Sequence, residues 1–302
     1  MNAGAEPIIL TLAYTPPFDW PAMLAFYAAR AVAGIERVAD GAYMRSVRIG
    51  AQAAIIEVRD RPDVRELTVT VFNAPPSSAD EVARRMRRAF DIDADLATIA
   101  LHLSRDPFLA ALIAARPAVR IPSHWEPFET AMRAILGQQV TLQAAAKLCG
   151  RLVERAGPGI AGAEEGGPDR LFPTADEVLA ADLSNMGMPG ARIRALQAVA
   201  EAFLATPDLF ARGASIEETV ARLLAIKGIG PWTAQYIALR ACGEPDAFPA
   251  SDVGLLRGAL DPDGQRPTPK ALEARARAWS PWRSYAAQHI WAADPGIIVR
   301  ER

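Results

Sequence analysis

The residues best suited to chemistry lie in the last third of the chain. In "LLAIKGIGPWTAQYIALR" (223–240), Gly228 and Gly230 flank an isoleucine, Pro231 follows, and Trp232 and Tyr236 stand four apart. Glycines at such a reversal can take positive φ without a Cβ penalty, and proline suits the first helical position, where no N–H partner is needed. The pattern predicts a helix, a tight turn and a second helix whose N-terminal amides face outward, a natural seat for a phosphate. An αα-hairpin that merely packs satisfies the same pattern. Trp232 and Tyr236 share one helix face, either as core or as a wall for a flat ring; Ile237 and Leu239 already supply apolar residues elsewhere. Asp252, in "DAFPASDVGLLRG", stands at a predicted helix start, where it is an N-cap or a carboxylate aimed at a cationic centre. "WSPWRSYAAQHIWAAD" adds Trp279, Trp282, Tyr285 and Trp291.

These residues need a scaffold, and the chain divides by periodicity. Over the first ~75 residues apolar and polar positions alternate. "PIILTLAY", "YMRSVRIG", "AAIIEVR" and "ELTVTVFN" read as strands, with turns at Gly50-Ala51 and "DRPD" (60–63). A helix from about 20 to 34 lies between the first two, capped by Asp19 with Pro21 early in it. Ser77 or Ser78 caps the next helix, and from there the pattern is helical, with helices predicted at 124–136, 141–155, 174–181, 190–205, 216–225, 231–241, 253–260, 269–278 and 281–293. The Gly- and acid-rich segment 156–170 reads as a mobile surface loop. "NMGMPGARIRAL" echoes the glycine turn of the hairpin. The predicted class is α+β: a small N-terminal antiparallel sheet with helices (1–115), then a helical bundle with the hairpin (116–302), in two subdomains flanking a cleft.

The 302 residues suffice for two or three cores, and no apolar run approaches the ~20 residues of a membrane span. The start of the chain lacks a basic leader with an apolar block, so a cytoplasmic location is expected. Cys149 and Cys242 are too few and too far apart for a disulfide framework, a zinc site or an iron–sulfur cluster. His102, His124 and His289 show no ligand spacing. A net charge of −2 and a pI of about 6.0 argue against a broadly basic nucleic-acid surface. Locally, Arg222, Lys227 and Arg240 occur without an intervening acid, and a backbone phosphate grip needs little net charge.

The hairpin, with an Asp sixteen residues after Tyr236, resembles the helix–hairpin–helix/Gly-Pro-Asp superfamily of DNA glycosylases. "FETAMRAILGQQVTLQAAAKL", "LSNMGMPGARIRAL", "PWRSYAAQHIW" and the opening "YTPPFDWPAMLAFYAARAVAGIERVADGAYMRSV" are similar to its bacterial alkylation-repair branch, DNA-3-methyladenine glycosylase II (AlkA). The resemblance runs from about residue 10 to residue 293. It implies that Asp252 is the catalytic carboxylate, that Trp232, Tyr236 and Trp291 line the pocket for a flipped base, and that Gly228 and Gly230, with Lys227 beside them, contact a DNA phosphate. It further implies a monovalent cation on the main-chain carbonyls of Leu224, Ile226 and Ile229, with no cofactor required. Gln139, or a close neighbour in "GQQV", would fill the gap left by the extruded nucleotide; some relatives place Leu there.

Superfamily members that also cut the backbone carry a Schiff-base Lys two residues after the second hairpin glycine. Here that position is Trp232, and Lys227 lies on the other side of the turn; the four-Cys cluster of some relatives is also absent. The resemblance therefore implies a monofunctional glycosylase acting on double-stranded DNA with alkylated bases, with no obligate protein partner and a monomer by default. An N-alkylated purine already carries positive charge and leaves readily, so a carboxylate beside the sugar suffices, and aromatic rings attract the cationic base. Two other readings remain: the same fold acting on oxidised or deaminated bases, and a non-catalytic DNA-binding module in which Asp252 is only a cap.

Overall fold

The computed structural model describes residues 6–261 and 263–294. Five strands form one antiparallel sheet: β1 (Ile8–Ala13), β2 (Glu36–Ala39), β3 (Ala42–Ile49), β4 (Gln52–Arg61) and β5 (Glu66–Phe72), in the order β1-β5-β4-β3-β2. Alternation places Ala54, Ile56, Val58, Leu67, Val69 and Val71 on one buried face. Helices α1 (Trp20–Ala28) and α2 (Ala79–Ala89) cover that face, with Tyr27, Tyr43 and Phe90 packed ring against ring. Asp19 caps α1 as expected, accepting from the Ala22 N–H. Ser78 does not cap α2 through its side chain; its hydroxyl donates instead to the Pro75 carbonyl.

Strand β2 escaped the sequence reading, although its hairpin to β3 carries an Asp-Gly turn. Asp40 and Gly41 both take positive φ (53° and 73°), as a type I′ turn requires. The β4–β5 turn falls two residues later than expected, at 62–65, where Arg65 has φ 59°.

The remaining helices are α3 (Leu96–Leu103), α4 (Pro107–Ala115), α5 (Pro127–Leu136), α6 (Leu142–Ala156), α7 (Ala175–Ala180), α8 (Gly190–Ala205), α9 (Ile216–Leu224), α10 (Pro231–Ile237), α11 (Val253–Gly258), α12 (Pro269–Ala276) and α13 (Arg283–Ala293). They share a second core, in which α5 is buried along nearly its whole length. Ile99, Leu103, Leu109 and Ile113, from α3 and α4, also belong to this core. The α+β class is therefore as expected from the sequence. Among the described residues, no helix is long and apolar enough to cross a membrane.

Sheet and bundle meet at a buried charge cluster. Arg45 of β3 donates to Glu129 of α5 at 2.8 Å, and Arg133 of α5 pairs with Glu36 of β2 and with Glu129, each at 2.7 Å. Burial alone would raise the Glu36 carboxyl, but the guanidiniums of Arg133 and Arg45 hold it below its ordinary value. Pairing of this kind is what makes buried charge tolerable. Segment 156–170 is anchored to the same side: Gly159 and Arg170 bridge, the Asp169 and Arg170 N–H groups donate to the Gly34 carbonyl, and the Ser46 hydroxyl donates to that of Arg170. The expectation of a mobile loop is corrected at its base, which is bonded to the sheet unit.

Candidate active site

The hairpin forms where the glycines demand it. Ser215 caps α9, and the turn is seated by buried Ile226 and Ile229, with the Ile229 N–H donating to the Ile226 carbonyl at 3.1 Å. Gly228 has φ +92°, and a Cβ there would stand 2.6 Å from the Ala195 Cβ of α8. Glycine is thus required both by conformation and by the close approach of α8. Gly230 differs from the expectation: its φ −89° and ψ 174° are extended, it caps α10, and open space surrounds it. Lys227, Gly228 and Gly230 are exposed, and so is Leu224 in part.

Asp252 satisfies both of its sequence readings at once. Its Oδ1 caps α11, accepting from the Leu255 N–H at 3.0 Å. The same oxygen accepts from the Trp291 indole N–H at 2.8 Å, and Oδ2 accepts from the Trp232 indole N–H at 2.8 Å. Trp232 stacks on Tyr236 with centroids 5.3 Å apart, and Tyr236 meets Trp291 edge-on at 6.0 Å. One carboxylate therefore fixes two indoles of a three-ring wall, and the two indoles fix the carboxylate in return. Gly254 keeps this arrangement tight, because a Cβ there would stand 3.0 Å from both Asp252 Oδ1 and Trp291 Cδ1.

These groups open onto a cleft of about 1790 Å³. Its walls come from α1, α5, the α5–α6 turn, α10, α11 and α13. Six arginines and three aspartates line it, so the cleft is locally positive although the chain as a whole is acidic. None of Lys147, Lys227 and Lys270, the lysines of the chain, lines it. Gln139 stands exposed at the α5–α6 turn with φ 56°, beside Val140, while its neighbour Gln138 ties the turn to the hairpin through Thr233 Oγ1 at 2.8 Å.

Several cleft residues were not foreseen. Phe26 of α1 and Arg30, two residues past its end, reach the cleft, and neither was assigned to any site from the sequence. Arg240 lies in a π-helical turn, Ala238–Cys242, that extends α10 and ends at Gly243 in the left-handed region. The spacing 232, 236, 240 was a visible signal for it, since each step of four stays on one helix face. Arg257 and Asp294 form a two-point ion pair at 3.0 and 2.7 Å that ties α11 to the end of α13.

Residues 9–126 match the family described as AlkA N-terminal domain, and residues 132–284 match the HhH-GPD superfamily base excision DNA repair protein family. The chain belongs to the HhH-GPD superfamily. A probable bifunctional transcriptional activator/DNA repair enzyme AlkA from Mycobacterium tuberculosis is 37% identical over 293 residues, 96% of this chain. The chain spans only 58% of that relative's length. DNA-3-methyladenine glycosylase 2 of Escherichia coli is 35% identical over 291 residues, covering 94% of this chain and 97% of the relative. Among solved structures, a 3-methyladenine DNA-glycosylase from Archaeoglobus fulgidus superposes with a TM-score of 0.82 at 21% identity, covering 95% of this chain and 98% of that one. That likeness spans both cores and shows a shared overall fold.

Proposed function

We propose that this HhH-GPD protein is a monofunctional DNA glycosylase that flips an alkylated base, such as 3-methyladenine, out of duplex DNA and hydrolyses its N-glycosidic bond. The observation that carries the reading is Asp252, held by three N–H donors at the edge of the Trp232–Tyr236–Trp291 wall. A base that has left the stack enters among the rings. As the C1′–N bond breaks, its electron pair leaves with the base and positive charge grows on the sugar. The Asp252 carboxylate stabilises that charge, and the donors that hold it reduce its need to reorganise. Water adds at C1′ and gives up a proton, leaving an abasic site. The absence of lysine from the cleft lining supports hydrolysis without a Schiff base.

The exposed hairpin amides around Gly228 and Gly230, with Lys227, bind the DNA phosphate, and Gln139 fills the stack. The turn also offers carbonyls for a monovalent cation: that of Ile226 spends one lone pair on the Ile229 N–H, and the Leu224 and Ile229 carbonyls would complete the set. Such an ion would add positive potential toward the phosphate. The protein is expected to act as a cytoplasmic monomer. The test is release of free bases from methylated duplex DNA, paired with borohydride trapping. Released 3-methyladenine without a covalent protein–DNA adduct is the expected result. An adduct would refute hydrolysis, and no release at all would leave a DNA-binding module.

A further inference from the structure

The aromatic wall contains a fixed cation. The Arg240 guanidinium lies 5.4 Å from the Tyr236 ring centroid, 5.2 Å from that of Trp291 and 4.9 Å from that of Phe26. The residue is 3% exposed, yet it lines the cleft. Its position is over-determined: one amino group donates to the Pro122 carbonyl at 2.7 Å, the other to Gln288 Oε1 at 2.9 Å, and its own carbonyl accepts from the Ser123 hydroxyl at 2.6 Å. Both guanidinium partners are neutral, so nothing at these contacts cancels its charge. Its Nε–H, also buried, has no protein partner.

A wall built only of rings would favour a cationic base over a neutral one. Here the faces of two of the three rings already meet a guanidinium, and a positively charged base entering beside them meets a like charge at low dielectric. For a neutral base the charge acts in the opposite sense. When a neutral purine leaves, the C1′–N bonding pair goes with it, and the base becomes an anion until it takes the proton released by the water that adds at C1′. A buried guanidinium at the end of the wall stabilises that anion. An N-alkylated purine leaves as a neutral molecule and gains no such help.

We infer that Arg240 is a specificity-determining residue that promotes excision of neutral damaged bases at some cost to cationic ones. The inference rests on the glycosylase reading of the same cleft. It separates Arg240 from Asp252, which faces the sugar and acts on both classes of base alike.

Single-turnover excision is measured on two duplexes, one carrying 7-methylguanine as the cationic base and one carrying hypoxanthine as the neutral base. Arg240→Gln removes the charge. Gln288→Glu leaves Arg240 in place and neutralises it with an isosteric carboxylate, which covers the case where Arg240→Gln fails to fold. Both variants are expected to lower the neutral-to-cationic rate ratio by at least about tenfold, whereas Arg240→Lys keeps it within about threefold. A structural role for Arg240 would lower both rates together, and an unchanged ratio in folded Gln288→Glu overturns the inference. Wild-type release of 7-methylguanine without detectable hypoxanthine also overturns it, while leaving the glycosylase reading intact. Release of neither base also overturns the inference, and only if 3-methyladenine too is retained in methylated duplex DNA does the glycosylase reading fall with it.

Discussion

Replacing Asp252 by Asn tests the site with little change of shape. Asparagine is as good an N-cap as aspartate, so α11 keeps its Leu255 N–H bond and the fold should survive. What disappears is the negative charge. A carboxylate about 4 Å from a developing sugar cation, at an effective dielectric of about 20, contributes about 4 kcal/mol, or about a thousandfold in rate. A second loss follows from the donor count. Aspartate offers two acceptor oxygens to three N–H groups, Leu255, Trp291 and Trp232. Asparagine offers one, so with its oxygen toward Leu255 and Trp291 its amide N–H₂ opposes the Trp232 indole N–H. The assay is single-turnover release of 3-methyladenine with enzyme in excess, alongside affinity for a duplex bearing an abasic-site analogue. The expected result is a rate loss of about 10³-fold or more with affinity within about threefold of wild type, the pattern of an interaction made chiefly in the transition state. A variant retaining more than about a tenth of the wild-type rate would refute the carboxylate's role and leave Asp252 as a cap.

Gly228→Ala should destabilise the protein by about 1–3 kcal/mol in urea unfolding, from the positive φ and the clash with Ala195. Adding Ala195→Gly should restore only the steric part. Gln139→Ala should slow excision from fully paired duplex about tenfold while sparing a lesion in an already unpaired bulge, since the wedge then has no pair to hold open; equal losses on both would argue against a wedge at Gln139. Burial pushes the Asp91 carboxyl up to about 6, against bonds from the Ile121 N–H and the Tyr285 hydroxyl. Folded Asp91 thus holds its proton more tightly than the unfolded chain does. Its contribution is complete below about pH 4 and is lost as pH rises through about 6, amounting to at most about 3 kcal/mol. Asp91→Asn should flatten that part of the stability–pH curve; an unchanged slope would show that Asp91 does not titrate there.

The hairpin was legible because its signals are backbone signals: two glycines, a proline, and rings spaced by a helix turn. The same holds for the strands β1, β3, β4 and β5, where alternation is uninterrupted. Strand β2 was missed because four residues hold too little alternation, and its Asp-Gly turn was passed over. Helices α3 and α4 lie in the stretch read as helical, but their bounds were not resolved, for the opposite reason. "LATIALHL" and "PFLAALIAA" are apolar nearly all round, so periodicity gives them no polar face to contrast with the buried one. Asp252 could not be resolved from sequence, and the structure explains why: the residue caps a helix and holds two indoles with the same two oxygens. No local pattern could join Trp232, Asp252 and Trp291, which are brought together by packing across dozens of residues.

That long-range assembly also gives the sheet unit a part in the site. Phe26, on the helix that covers the sheet, contributes a ring to the group around Arg240. Arg133 lines the cleft, donates to the Arg30 carbonyl at 3.0 Å and pairs with Glu36 of the sheet and Glu129 of its own helix. A change in the sheet's pose would therefore be felt by α1, then by Phe26, then by the guanidinium that meets Tyr236 and Trp291. Buried ion pairs of this kind contribute little net stability compared with apolar packing, but they oppose misregistered docking, because each wrong pose strands a charge. Docking accuracy is what the cleft requires, since residues 19–30 line it together with residues of α5, α10, α11 and α13.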